Sequence, residues 1–203
     1  SAVSYYPSYV ERDAIQSMDP TVVVKDITAY VFDKFKENLQ MDFAKRQGLL
    51  FVGGFAHPPN SDAVLWFARE IYPQVCENMQ AAGQTPPEFV VVGSKVTEEI
   101  KALEQPGNGI VIKGFVSEEE LEHLYEICRI VVVPLRYGAG VKGKVVEAIY
   151  NGAPVVTTAI GAEGMPLAEE VLLIEDEPKR FADVVTDLYR DTDKCRELCQ
   201  KTQ

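Results

Sequence analysis

A chain of 203 residues, 46% hydrophobic and 25% charged, has enough apolar material for a packed core and is not a disordered or fibrous polymer. Twenty Lys and Arg against 31 Asp and Glu give a formal net charge of −11, which argues against a general nucleic-acid or anionic-membrane surface. A small basic patch inside that acidic envelope remains free to hold a phosphate. No apolar run approaches the ~20 residues of a membrane span, and the N-terminus, opening at Ser1, has neither a basic stretch nor an apolar signal core.

In chain order, Val3–Pro7 reads as a strand, Ser8 as the cap of a helix from Tyr9 to Ser17, and Thr21–Val24 as a second short strand. Residues 34–45 read as a polar, exposed stretch. One strand with one helix cannot build its own sheet, so residues 1–47 are expected to be the last βα piece of a preceding domain plus a connector. Residues 48–203 are expected to form a domain of their own.

From residue 48 the texture alternates. Apolar, largely β-branched runs of strand length occur at Leu49–Val52, Phe89–Val92, Ile110–Ile112, Ile130–Val133, Pro154–Thr157 and Val171–Ile174, as expected of strands buried on both faces of a parallel sheet. Helical patterns lie between them. One runs from Asp62 through Trp66 towards Ile71, Val75 and Met79. Another opens with a Ser117/Glu120 capping box and continues through Leu121, Leu124, Tyr125 and Ile127. A third carries Val145, Val146, Ala148 and Ile149 and closes at Asn151-Gly152; a fourth carries Phe181, Val184, Val185, Leu188 and Tyr189. Strand and helix alternating with short links predict an α/β domain, a Rossmann-like doubly wound parallel sheet of about six strands. Cys76, Cys128, Cys195 and Cys199 form no CxxC, and His57 and His123 stand far in sequence from the Cys195/Cys199 pair, so the thiols read as reduced, in a cytoplasmic setting, without a metal.

Ligands of such sheets bind at the carboxyl ends of strands, where helix N-termini point at them. Four strand ends carry unusual residues. After the first, Gly53 and Gly54 permit close backbone approach, and His57 fits either a hydrogen-bonding loop residue or a contact to phosphate or sugar hydroxyl. After the third, Gly114-Phe115-Val116-Ser117 offers backbone groups suited to the edge of a flat base, or is an ordinary turn. After the fourth, Arg136, Gly138, Gly140, Lys142, Gly143 and Lys144 place three glycines and three cations within nine residues, the composition of an anion cradle. Glu147 follows one turn after Lys144, and an i,i+3 surface ion pair is the plain alternative for those two. After the fifth, residues 157–164 could offer hydroxyl and backbone contacts to a sugar, or form a glycine-rich turn. Trp66, at helical spacing with Ala63 and Phe67, reads as core.

The stretches FVGGFAHPPNSDAVLWF, VVGSK, IKGFVSEEEL, VPLRYGAGVKGKVVEAIYNGAPVVTT and AIGAEGM, in this order, resemble the C-terminal, donor-binding domain of GT-B glycosyltransferases, specifically retaining enzymes of glycosyltransferase family 4. The variant glycine–lysine loop is similar to a bacterial branch associated with surface polysaccharides. The resemblance implies transfer of a sugar from a nucleotide-diphosphate-sugar to an acceptor hydroxyl with retention, and no cofactor or metal. It matches Glu147 to the glutamate that holds ribose. Ala139 stands where the family has a glutamate near the donor sugar, and Gly54 and Asn60 stand near its diphosphate-gripping Arg and Lys, so Lys142, Lys144 and Arg136 are the candidate replacements. Together Gly53, Gly54, His57, Val116, Arg136, Gly138, Ala139, Gly140, Val141, Lys142, Lys144 and Glu147 form the expected donor site.

No catalytic residue is assigned. The acceptor, a glycan or lipid-linked sugar, would be met by an N-terminal domain mostly outside this chain. That domain could place the protein peripherally at the inner membrane face, and without it this fragment is expected to be inactive. Two rivals stand beside this reading. One is a non-catalytic nucleotide-binding or scaffold module, which would explain Ala139. The other is a hydrolysing epimerase, which would call for more carboxylates and histidines at strand ends than this chain shows.

Overall fold

The structure, a computed structural model, describes residues 3–6, 9–27, 32, 36, 39 and 41–201. The expected cap Ser8 and residues 34, 35, 37, 38 and 40 of the polar stretch lie outside the described residues. The elements in order are β1 (Val3–Tyr6), α1 (Tyr9–Met18), β2 (Val23–Asp26), β3 (Leu49–Val52), α2 (Pro58–Trp66), a π-helical turn (Phe67–Ile71) and α3 (Tyr72–Ala81). Then come β4 (Phe89–Val92), α4 (Glu98–Lys101), β5 (Ile110–Gly114), α5 (Glu118–Ile127), β6 (Ile130–Val133) and α6 (Gly143–Tyr150). The chain continues with β7 (Val155–Thr157), α7 (Ala159–Ala162), α8 (Ala168–Val171), β8 (Leu172–Ile174), α9 (Pro178–Arg190) and α10 (Thr192–Gln200).

β1 and β2 pair in parallel as a two-stranded sheet, with α1 as their crossover. β2 begins two residues later than the apolar run predicts. The reason is local: the Asp19 carboxylate accepts hydrogen bonds from Thr21 N and Thr21 Oγ1, so Thr21 belongs to a turn. Arg12 on α1 ties the helix to its sheet by pairing with Asp26 on β2 at 2.5 Å.

Among the described residues every other strand joins one parallel sheet of six, in the order β5-β4-β3-β6-β7-β8. The predicted α/β doubly wound architecture is therefore the observed one. The chain builds outward from β3 through β4 to β5, then returns to the centre and builds the other half from β6 to β8. β6, the most apolar run, is buried at all four residues. Beneath one face, Phe67 packs on Phe89 at 4.6 Å between ring centres and edge-on to Phe181 at 6.1 Å. Trp66 meets Phe181 edge-on and is 6% exposed, confirming it as core.

The helix expected from Asp62 starts earlier, at Pro58, because Pro58 and Pro59 occupy its first turn, where a missing N–H removes no intrahelical bond. Its π-helical turn has a cause downstream. Pro73 cannot donate to the carbonyl four residues back and its ring crowds that carbonyl, so the ladder loosens over Phe67–Ile71. The capping box of α5 is half formed. Ser117 Oγ accepts from Glu120 N at 3.2 Å, but the Glu120 carboxylate turns to Lys113 Nζ at 2.8 Å. α6 closes as expected: Asn151 Nδ2 donates to Glu147 O, and Gly152 takes φ +65°.

None of the four cysteines is in a disulfide, and burial pushes the Cys128, Cys195 and Cys199 thiols up to about 12, which makes them poor nucleophiles. Among the described residues no cluster of His, Cys, Asp and Glu could hold a metal, and no helix is long and apolar enough to cross a membrane.

Candidate functional site

Where strand order reverses in a parallel sheet, the loops leaving the two central strands diverge and leave a crevice at their carboxyl ends. Here the reversal lies between β3 and β6. The two loops that leave them, with the starts of α2 and α6, line a cavity of about 200 Å³. Its walls include His57, Pro59 and Asn60 from the first loop and helix, and Gly138, Ala139, Val141, Lys142 and Lys144 from the second. That volume fits phosphate-sized groups, so a larger ligand would extend out of its mouth.

Both helices that face the cavity lack a side-chain cap: His57 precedes α2 and Lys142 precedes α6 without capping them. Uncapped first turns leave backbone N–H groups and a positive dipole end directed at the crevice. The glycines allow the close packing here. A Cβ on Gly93 would lie 1.9 Å from Gly53 O, so the ends of β3 and β4 touch backbone to backbone.

Lys144 is the central cation. Its ammonium donates to Asn60 Oδ1 and lies 4.8 Å from the centre of the Phe51 ring. Gly53 makes room for it, because a Cβ there would stand 2.8 Å from Lys144 Nζ. Asn60 is itself held by donating from Nδ2 to Gly54 O at 2.7 Å. Burial, aided by the neighbouring Lys142 charge, lowers Lys144 from the usual 10.5 to about 8. No carboxylate among the described residues pairs with it, so the i,i+3 ion pair with Glu147 is not formed.

Lys142 is spoken for. Its Nζ donates to Gly140 O and pairs with Glu163 Oε2 at 3.1 Å, which fixes the glycine loop against the turn after β7. Arg136 does not line the cavity: its guanidinium forks onto the Asp62 carboxylate, 2.9 Å from Nε to Oδ2, and lies 5.3 Å from the Trp66 ring. It reads as a surface brace between α2 and the loop. Accordingly Arg136→Ala is expected to leave nucleotide affinity within about twofold and to lower stability by under about 1 kcal/mol. A tenfold loss of affinity on titration would instead return Arg136 to the phosphates.

Glu147, one turn beyond Lys144 on α6, is half-buried beside Tyr125 of α5. Desolvation raises its carboxyl above the usual carboxylate range, and the Tyr125 hydroxyl works in the opposite sense. The Tyr125 Oη is itself buried with no well-formed hydrogen-bond partner among the described residues. Thr157 and Thr158 are not free to meet a sugar. Their hydroxyls are buried and donate to Val133 O and Leu135 O, so Thr157 joins β7 to β6 while Thr158 caps α7 and holds the loop after β6. Val116 follows β5 at the sheet edge, half-buried against the core and outside the cavity, beside the 80%-exposed Phe115. The sequence pattern alone missed Asn60 as a hydrogen-bonding partner and Glu163 as the counter-charge of Lys142. Both lie far in sequence from the residues they serve, and no local spacing signals such pairs.

A family described as Glycosyl transferases group 1 matches residues 46–191. An uncharacterized 44.6 kDa protein in the cps region of Klebsiella pneumoniae is 31% identical over 136 residues, 64% of this chain and 34% of its own length. A structure of an S. aureus TarM mutant with fondaparinux, alpha-GlcNAc-glycerol and UDP superposes with a TM-score of 0.71 at 15% identity, covering 98% of this chain and 39% of TarM. A structure of Anabaena HepE with UDP and glucose gives 0.71 at 17% identity, covering 100% of this chain and 57% of HepE. The chain thus spans between about a third and three fifths of these proteins, and shares their fold.

Proposed function

The chain belongs to the glycosyl transferases group 1 family, and from that premise we propose that it is the donor-binding domain of a retaining glycosyltransferase. Its donor is a nucleotide-diphosphate-sugar and no further cofactor is proposed. The observation that carries this reading is Lys144, a half-buried ammonium with no carboxylate paired to it among the described residues, placed at the strand-order reversal between two uncapped helices. Such a group is costly in an empty protein and favourable beside a diphosphate. As the sugar leaves, the diphosphate gains negative charge, and fixed cations and N–H groups already aimed at it stabilise that change without reorganising. Glu147 is proposed to accept hydrogen bonds from the ribose hydroxyls, His57 and the glycine loop to border the phosphates, and Val116 to lie towards the base. Lys142 sets the loop conformation through Glu163. The retaining outcome rests on the resemblance to family 4 enzymes.

Residues 1–47 are proposed to end the acceptor domain, in keeping with relatives of which this chain covers only part. The acceptor, a glycan or lipid-linked sugar, would then meet that other domain, and this fragment alone would transfer no sugar. The cps region named for the Klebsiella relative supports a role in surface-polysaccharide synthesis, and four cysteines outside disulfides fit a cytoplasmic setting. A thermal-shift screen with UDP, GDP, ADP and dTDP tests the donor assignment. A ligand at 100 times its dissociation constant adds about 2.7 kcal/mol to folding stability, and no shift with any of the four at millimolar concentration refutes it.

A further inference from the structure

The glycine loop has a second neighbour that the donor assignment does not use. Gly140 takes φ +76° and is buried, and the group nearest to where its side chain would stand is the Glu11 carboxylate. A Cβ built on Gly140 lies 3.5 Å from Glu11 Oε2 and 3.8 Å from Oε1. Glu11 belongs to the first turn of α1, far from the loop in sequence, and its carboxylate lies against Gly140. Its Oε2 is shut off from solvent and has no hydrogen-bond partner among the described residues. The neighbouring Arg12 is engaged with Asp13 and Asp26, and the nearest lysine of the loop, Lys142, is paired with Glu163.

A buried carboxylate oxygen without a donor is expensive, and a carboxylate only accepts hydrogen bonds. A phosphate has no hydrogen to give it at neutral pH and repels it. Sugar hydroxyls are donors, uncharged and present in pairs. We infer that Glu11 accepts hydroxyls of the sugar carried on the diphosphate, beside the glycine loop at Gly140. This rests on the donor reading above and deepens it: Lys144 meets the phosphates, Glu147 the ribose, and Glu11 the group to be transferred. Gly140 is then a glycine for two reasons, its backbone conformation and the space that Glu11 and a hydroxyl share.

The test titrates the chain and its Glu11→Ala and Glu11→Gln variants. The probes are whichever of UDP, GDP, ADP and dTDP binds most tightly, and the glucose conjugate of that nucleotide. Glu11→Ala should weaken the conjugate by about 10- to 150-fold while leaving the plain diphosphate unchanged or slightly tighter. Glu11→Gln, whose amide oxygen still accepts, should fall between. A merely structural role in starting α1 would lower the melting temperature without changing the ratio of the two affinities. Equal changes for both ligands, or none, overturn the assignment while the donor reading stands. A native protein that gains nothing from the glucose overturns it too. Failure of all four diphosphates to bind removes the donor reading first, and this one with it.

Discussion

Lys144→Met is expected to weaken binding of a nucleoside diphosphate by about 10- to 150-fold, the range for losing hydrogen bonds to a charged group. Inorganic pyrophosphate should suffer equally, since it presents the same oxygens. The loss should shrink as salt screens the charge. The effect on stability should run the other way. Lys144 titrates near 10.5 in the unfolded chain and about 8 in the folded one. Between those values the unfolded state binds the extra proton, so stability of the native sequence rises as the pH climbs from about 8 towards 10.5. Below pH 8 the folded protein carries the full penalty of holding the ammonium, about 3 kcal/mol. The methionine variant lacks both the penalty and the rise, so chemical denaturation at pH 7 and pH 10 should find it more stable at the lower pH only. A lysine that served the fold would show the reverse: lost stability and unchanged affinity.

Glu147→Ala is expected to weaken the nucleoside diphosphate by a similar factor, about 10- to 150-fold, and to leave pyrophosphate affinity alone. The carboxylate lies on α6 one turn beyond Lys144, and in the proposed assignment vicinal ribose hydroxyls donate to it. Its raised carboxyl gives a second signature. Burial favours the protonated form, so nucleotide affinity should fall as the pH drops through its elevated value and the acceptor is neutralised. Titrating both variants with nucleotide and with pyrophosphate separates the roles. Equal loss of pyrophosphate affinity in Glu147→Ala and Lys144→Met would remove Glu147 from the ribose.

The fold was legible because its signals are local and repeated. β-branched runs such as Ile130–Val133 announce strands buried on both faces, and Ser117, Asn151 and Gly152 mark helix ends at the residues where the structure has them. The helix start at Pro58 and the π-helical turn were harder, since both come from prolines acting on neighbours rather than from apolar spacing. The glycine–lysine loop was likewise visible as composition. What composition could not reveal is which of its three cations already has a carboxylate partner. Arg136 and Lys142 have found carboxylates contributed by Asp62 and Glu163, and only the fold brings those partners near. Lys144 has not, and that difference separates a braced cation from one kept for a ligand. Residues 157–164 stayed open between a sugar contact and a turn for the same reason: the carbonyls that take the Thr157 and Thr158 hydroxyls belong to the adjoining strand and its loop.

The central claim, that the half-buried Lys144 receives a diphosphate, is tested most directly by counting protons during binding. Calorimetric titration of the tightest-binding nucleoside diphosphate at pH 8, in buffers of different ionisation enthalpy, yields that number. Near its folded value of about 8 the free lysine is half protonated. A phosphate beside it favours the charged form, so binding should take up about half a proton at pH 8, where the diphosphate is already fully ionised. In Lys144→Met the uptake should vanish. Tight binding with no proton taken up at pH 8, or with the same uptake in Lys144→Met, would contradict it.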